Sequence, residues 1–111
     1  MRPSLAVSTV DLAALTARLA ERACEFEADA TWPKASLDVY AEMQGPRWGV
    51  PPEYGGTEMP IVDRLRGYMA LARGDMSTAL FVTQHEGAVD LLAACENEQL
   101  KRTWLPRFAL G

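Results

Sequence analysis

The chain has 111 residues, of which 49% are hydrophobic, and a formal net charge of -4; this size and composition fit one globular domain. The mild negative charge excludes an electrostatic nucleic-acid surface, which needs a clustered basic face. No run of about 18 apolar residues exists, so we expect no membrane span, and residues 1–10 lack the features of a secretory signal, so we expect a cytoplasmic protein.

The first predicted helix covers residues 10–30, after an N-terminal tail at 1–9, with Thr9 as its N-cap. Steps of three and four place its apolar side chains on one stripe. Those residues are Leu12, Leu15, Leu19, Ala23, Phe26 and Ala30. Pro33 disfavours the helical conformation in the residue before it, which predicts the end of the helix near Trp32.

A short second helix is predicted at residues 37–43, with Ser36 as N-cap and a stop at Gly45-Pro46. The segment 45–60 follows, and eight of its sixteen residues are glycine or proline. Prolines fix φ and glycines permit positive φ, so the segment should follow a defined path. Composition alone favours a sharp structural corner over a functional loop.

The third predicted helix covers residues 61–73. One face carries its apolar side chains, with the charged residues elsewhere. The apolar set is Ile61, Leu65, Tyr68, Met69 and Ala72. Gly74 suits the position after this helix, and Asp75 suits the N-cap of the next.

The fourth predicted helix, residues 76–95, contains only two charged residues, Glu86 and Asp90. A helix that is apolar on every side is typically surrounded by other helices. Its small residues Ala79, Thr83 and Gly87 recur at every fourth position. That spacing lets a neighbouring helix or a ligand come close, and helix packing is the simpler interpretation.

A fifth helix is predicted at residues 98–104, capped by Asn97 and ended by Leu105-Pro106. The pattern therefore predicts an all-α bundle of about five helices in one domain, residues 10–111.

The residues themselves provide no complete catalytic site. His85 is the only histidine, and no metal-ligand spacing, phosphate-binding loop or nucleophile motif is present. The carboxylates Glu53, Glu58 and Glu86 have no evident partner that would make one of them an acid or base.

Four motifs in order resemble the N-terminal helical domain of the acyl-CoA dehydrogenase family. They are F-E-A-D-A at 26–30, W-G-V-P-P-E-Y-G-G-T at 48–57, L-A-R-G-D-M-S-T-A-L at 71–80 and N-E-Q-L-K-R-T-W-L-P-R-F-A-L-G at 97–111. Each motif alone is modest, but their shared order and separation cover nearly the whole chain from residue 10.

The resemblance implies part of a FAD-dependent oxidoreductase that dehydrogenates the α,β bond of an acyl-CoA or acyl-carrier thioester. Family members add a central β domain and a C-terminal helical domain, which hold most FAD contacts and the catalytic base. This chain alone is then expected to be inactive and not to bind FAD stably, and the complete enzyme to be a homo-oligomer. Carried over by position, the expected acyl-chain contacts are Ala79, Leu80, Thr83 and Gly87.

Departures from the family pattern put the substrate in doubt more than the fold. Pro52 stands where a second acidic residue is common, and Leu100 where glutamine is common. Two other functions stay open. One is a free-standing helical module that binds a partner without catalysis, and the other is part of a related flavin-dependent monooxygenase or nitroalkane oxidase. If the chain is a fragment of the longer enzyme, the surfaces that normally face the β and C-terminal domains should be apolar and uncovered, and we expect the fragment to self-associate.

Overall fold

The computed structural model describes residues 11–29 and 32–111, and this part of the chain folds into five α-helices with no strand. The helices are α1 (Leu12–Asp29), α2 (Lys34–Glu42), α3 (Ile61–Gly74), α4 (Met76–Ala94) and α5 (Glu98–Leu110). The expected all-α bundle is confirmed. None of the helices in these two ranges combines the length and hydrophobicity that a bilayer crossing requires.

Thr9 and Ser36 were the predicted N-caps of the first two helices. Thr9 lies outside the described residues, and the side chain of Asp11 accepts a hydrogen bond from the Ala14 amide at 3.0 Å. The cap at Ser36 is wrong, because α2 already begins at Lys34 after Pro33. Ser36 is buried inside the helix instead, and its hydroxyl has no hydrogen-bond partner among the described residues. Proline's fixed φ suits a helix start, which explains the earlier boundary.

The glycine- and proline-rich segment between α2 and α3 is a structural corner. It contains two 3-10 turns, Gly45–Arg47 and Pro52–Tyr54. Trp48 and Val50 are fully buried, and their carbonyls accept the Met59 amide at 2.7 Å and the Glu58 amide at 3.0 Å. The corner therefore contributes core side chains and closes on itself through backbone hydrogen bonds.

The apolar face predicted for α3 is buried only in part, since Tyr68 and Ala72 pack against the core. Ile61, Leu65 and Met69 are each more than half exposed, whereas α3 buries Arg64, Gly67, Ala70 and Leu71. Small residues let α3 approach the corner closely: a Cβ built on Gly67 would lie 2.5 Å from the Trp48 ring. Hydrophobicity alone predicted only part of the buried face, because close packing at Gly67 and the ion pair of Arg64 also determine the orientation of α3.

The expectation that α4 is surrounded on all sides is also wrong. One side is buried through Thr78, Ala79, Val82, Glu86 and Val89. The opposite side is open, with Leu80 62% and Leu91 77% exposed. The helix therefore packs through half of its circumference only.

The last helix, α5, continues past the expected stop at Pro106 and ends at Leu110. Leu105 and Ala109 on either side of the proline are buried with Val50 and Val89 in one apolar cluster. Burying these side chains compensates for the backbone hydrogen bond that the proline lacks. A larger core, containing Leu15, Leu19, Val39, Tyr40, Trp48 and Leu71 among others, joins α1 to α4 and the corner.

Candidate functional site

The residues expected to contact an acyl chain divide between two sides of α4. Leu80, Thr83 and Gly87 are exposed, whereas Ala79 is buried in the core beneath them. A Cβ added to Gly87 would meet no atom within 4 Å. The structure therefore brings three of the four residues onto one outward surface. The fourth, Ala79, is part of the hydrophobic core.

We call this surface the α4 outer face. Helical spacing adds Met76 and Leu91 to the same stripe, and both are strongly exposed. The face consists of Met76, Leu80, Thr83, Gly87 and Leu91, none of which is charged. The Thr83 hydroxyl donates to the Leu80 carbonyl at 2.8 Å, so its hydrogen is already used within the helix. An uncharged surface of this kind suits an apolar partner or ligand.

A buried polar cluster lies on the other side of α4 and was missed by sequence analysis. The Glu86 carboxylate accepts a hydrogen bond from the Tyr40 hydroxyl at 2.9 Å and another from Arg64 Nη2 at 3.1 Å. The same Nη2 also donates to Asp90 at 3.0 Å, and Arg64 Nε donates to the Tyr68 hydroxyl at 3.1 Å. These contacts join α2, α3 and α4.

The environment of Glu86 shifts several pKa values. Burial raises the pKa of the Glu86 carboxyl, and the hydrogen bond from Tyr40 and the charge of Arg64 oppose that shift only in part. Burial and the Glu86 charge raise the pKa of Tyr40, and the same two causes raise the pKa of Tyr68 to about 12. Both phenols therefore stay protonated at neutral pH and can donate.

The corner covers this cluster directly. A Cβ on Gly49 would lie 2.7 Å from Arg64 Nη2 and 2.8 Å from Glu86 Oε2, so only a glycine lets the backbone pass so close to both groups. One signal could have found the cluster in the sequence: Glu86 and Asp90, the two charges of α4, are four residues apart and share a face. Their partner Arg64 gave no comparable signal.

An apolar groove of about 580 Å³ lies between α2, α4 and the end of α5. Trp32 and Phe81 form one wall, with ring centroids 4.7 Å apart. Tyr40 and His85 also line it, and His85 Nε2 lies 3.3 Å from the Phe108 carbonyl. The groove therefore approaches the polar cluster through Tyr40, which donates to Glu86, and through His85, whose Nδ1 lies 4.0 Å from Glu86 Oε1.

The geometry assigns the cluster a structural role. Both carboxylate oxygens of Glu86 already have partners, as the distances above show, and Glu86 is only 3% exposed. A substrate on the α4 outer face could not reach it through the helix. Within residues 11–29 and 32–111 no group of acidic, histidine or cysteine side chains could hold a metal ion. The α4 outer face, which is the surface available for binding, carries no charged side chain.

Comparison with known proteins identifies one family. The family model described as "Acyl-CoA dehydrogenase, N-terminal domain" matches residues 11–111, which is nearly the whole chain. No curated protein and no solved structure gives a significant match.

Proposed function

The chain belongs to the acyl-CoA dehydrogenase family, and on that premise we propose that its α4 outer face forms one wall of the acyl and flavin cavity of a FAD-dependent oxidoreductase. The reaction proposed for the complete enzyme is α,β-dehydrogenation of an acyl-CoA or acyl-carrier thioester. The observation that carries the proposal is the exposure of Leu80, Thr83 and Gly87 on a helix face without charge.

The chemistry of this face suits an alkyl chain. Leu80 and Leu91 present methyl groups, and Gly87 leaves a notch between them because no atom lies within 4 Å of the Cβ position. Contact with such a surface removes the alkyl chain from water and stabilises it by roughly 25 cal/mol per Å² buried. The proposed contribution of this chain is therefore to bind and orient the acyl tail and to exclude water.

The face does not fit the polar parts of FAD. A pyrophosphate needs cationic or backbone N–H donors, and the five side chains of the α4 outer face provide no charge. In the complete enzyme FAD supplies the hydride acceptor, and the β and C-terminal domains or a companion subunit would hold its phosphates and the catalytic base. We place none of these groups on this chain, and we expect the 111 residues alone to be inactive.

The direct test is to express the full-length protein or complex that contains this chain and to measure flavin absorbance and turnover of acyl-CoA thioesters. Replacing Thr83 by tryptophan should fill the cavity wall and lower kcat/KM at least tenfold. Thr103→Trp is the matched control, because Thr103 is an exposed threonine on α5 outside the proposed wall. Equal activities of the two variants would contradict the proposal.

A second function, binding without catalysis, is supported by the exposed apolar stripe of α3. Ile61, Leu65 and Met69 are each more than half exposed, as expected for a helical interaction module. A colourless complex that forms without flavin and shows no turnover would favour this alternative. Oxygen-dependent turnover without thioester dehydrogenation would instead favour a flavin-dependent monooxygenase.

A further inference from the structure

A second groove, also of about 580 Å³, lies between α1 and α3, on a different helix pair from the α4 outer face. Leu12, Ala13, Thr16 and Ala17 line it from α1, and Arg66, Met69, Ala70 and Arg73 line it from α3. We call it the α1–α3 groove. We propose that it docks an amphipathic helix from outside these 111 residues that carries two acidic side chains seven residues apart.

The floor of the groove is preformed and apolar. The Thr16 hydroxyl donates to the Ala70 carbonyl at 2.9 Å, which satisfies both groups and holds α1 against α3. Further along, a Cβ on Gly74 would lie only 2.6 Å from the Leu19 Cβ. The two helices are thus held closely together. A docking helix would therefore not need to supply a hydrogen-bond partner to the Thr16 hydroxyl or the Ala70 carbonyl.

The walls are shaped for a helix. Ala13 and Ala17 are small and exposed, so they permit close approach of another backbone. Met69 stands opposite, 55% exposed, and Leu65 extends the same apolar stripe along α3. An apolar stripe of a docking helix can lie in a groove with such walls.

The rim determines the charge of the partner. Arg66 and Arg73 are both exposed and seven residues apart, which places them about 10 Å apart along the helix axis. Arg66 lies 3.4 Å from Asp63, and Arg73 has no ion-pair partner among the described side chains. Carboxylates at positions i and i+7 of a docked helix match this spacing.

A second copy of the chain cannot supply that pair. No two aspartate or glutamate residues anywhere in the sequence are seven positions apart. Asp90 is exposed on α4, but no acidic residue lies seven positions from it. We therefore take the occupant to be a helix of a different polypeptide segment.

The test uses the 111-residue chain and a labelled 18-residue peptide with leucines on one helical face and two glutamates seven apart on its flank. A matched peptide carries lysines at those two positions. We expect fluorescence anisotropy to show binding of the acidic peptide, with the basic peptide weaker by about tenfold.

Two variants locate the interaction. Arg66→Glu combined with Arg73→Glu should weaken the acidic peptide by about tenfold and reverse the preference, whereas Arg102→Glu on α5, also exposed, should leave binding unchanged. Equal binding of both peptides, no binding of either, or an unchanged affinity in the double variant would overturn the proposal. A dimer in sedimentation that the double variant dissociates would also overturn it, because the occupant would be a second copy.

Discussion

The guanidinium of Arg64 on α3 lies 3.1 Å from the carboxylate of Glu86 on α4, and both side chains are almost completely buried. Asp90, one turn further along α4, shares the same guanidinium at 3.0 Å but is largely exposed. The pair explains why α3 turns three large apolar side chains outwards while Leu71 is buried. Burying Arg64 against Glu86 fixes the rotation of the helix and leaves Ile61, Leu65 and Met69 on the surface.

Removing the buried carboxylate should strongly destabilise the fold. Glu86→Ala leaves the Tyr40 hydroxyl without its partner and leaves Arg64 with the exposed Asp90 as its one carboxylate partner among the described residues, and we expect a loss of about 3 kcal/mol in the free energy of unfolding. Asp90→Ala should cost at most about 1 kcal/mol, because that carboxylate is solvent-exposed. Urea denaturation measures both values. Equal effects of the two substitutions would mean that burial does not set the strength of the Glu86 contact.

Glu86 should also make stability depend on pH. Since its pKa is raised in the folded state, the folded protein holds this proton more tightly than the unfolded chain. Its contribution is fully present below the unfolded pKa of about 4.3 and is lost as the pH rises through the raised folded value. Relative to Glu86→Gln, the unmodified protein should lose stability as the pH rises from the unfolded pKa of Glu86 through its raised folded pKa. A constant or rising difference would contradict the assignment.

Two glycines in helices should respond oppositely to alanine. At Gly67 the new methyl group would lie 2.5 Å from the Trp48 ring, and overpacking of this kind costs about 1–3 kcal/mol. At Gly87 no atom lies within 4 Å, so the higher helix propensity of alanine should stabilise the protein by up to about 1 kcal/mol. Thermal unfolding of the two variants compares them directly, and stabilisation by Gly67→Ala would show that α3 does not pack closely on the corner.

The N-caps of α4 and α5, Asp75 and Asn97, should differ in how much they stabilise the fold. Asp75 is buried, accepts the Thr78 amide at 3.2 Å and accepts the Thr78 hydroxyl at 2.6 Å. Asn97 is exposed and accepts only the Leu100 amide, at 3.1 Å. We expect Asn97→Ala to lower stability by about 1 kcal/mol and Asp75→Ala by about 2 kcal/mol, since a buried hydroxyl also loses its partner. A larger effect at Asn97 would contradict this order.

Much of the fold could be predicted because its signals are local. Proline, glycine and capping residues mark the connections, and both Asp75 and Asn97 cap the helices assigned to them. The predicted start of α2 at Ser36 and the predicted end of α5 at Pro106 were wrong for the same reason. Local chemistry favoured a cap and a stop, but Pro33 begins α2 earlier, and the burial of Leu105 and Ala109 carries α5 through the proline.

Which face of each helix is buried was harder to predict because that depends on distant residues. The outward stripe of α3 and the open half of α4 follow from an arginine, a glutamate and two glycines that pack together only after the chain folds. The same partial exposure kept the family-based assignment of Leu80, Thr83 and Gly87 physically possible. A fully enclosed α4 would have left no surface for an acyl chain.

The central claim, that the α4 outer face borders an acyl chain, is tested most directly by crosslinking. A photoreactive diazirine analogue of leucine at position 80 of the assembled enzyme, which keeps the size of Leu80, should form a covalent adduct with a bound long-chain acyl-CoA on irradiation. The same group in place of the exposed Leu100 on α5 should form none. Adduct formation at 80 alone is the expected result; equal adducts at both positions, or none at 80 while turnover persists, would contradict the claim.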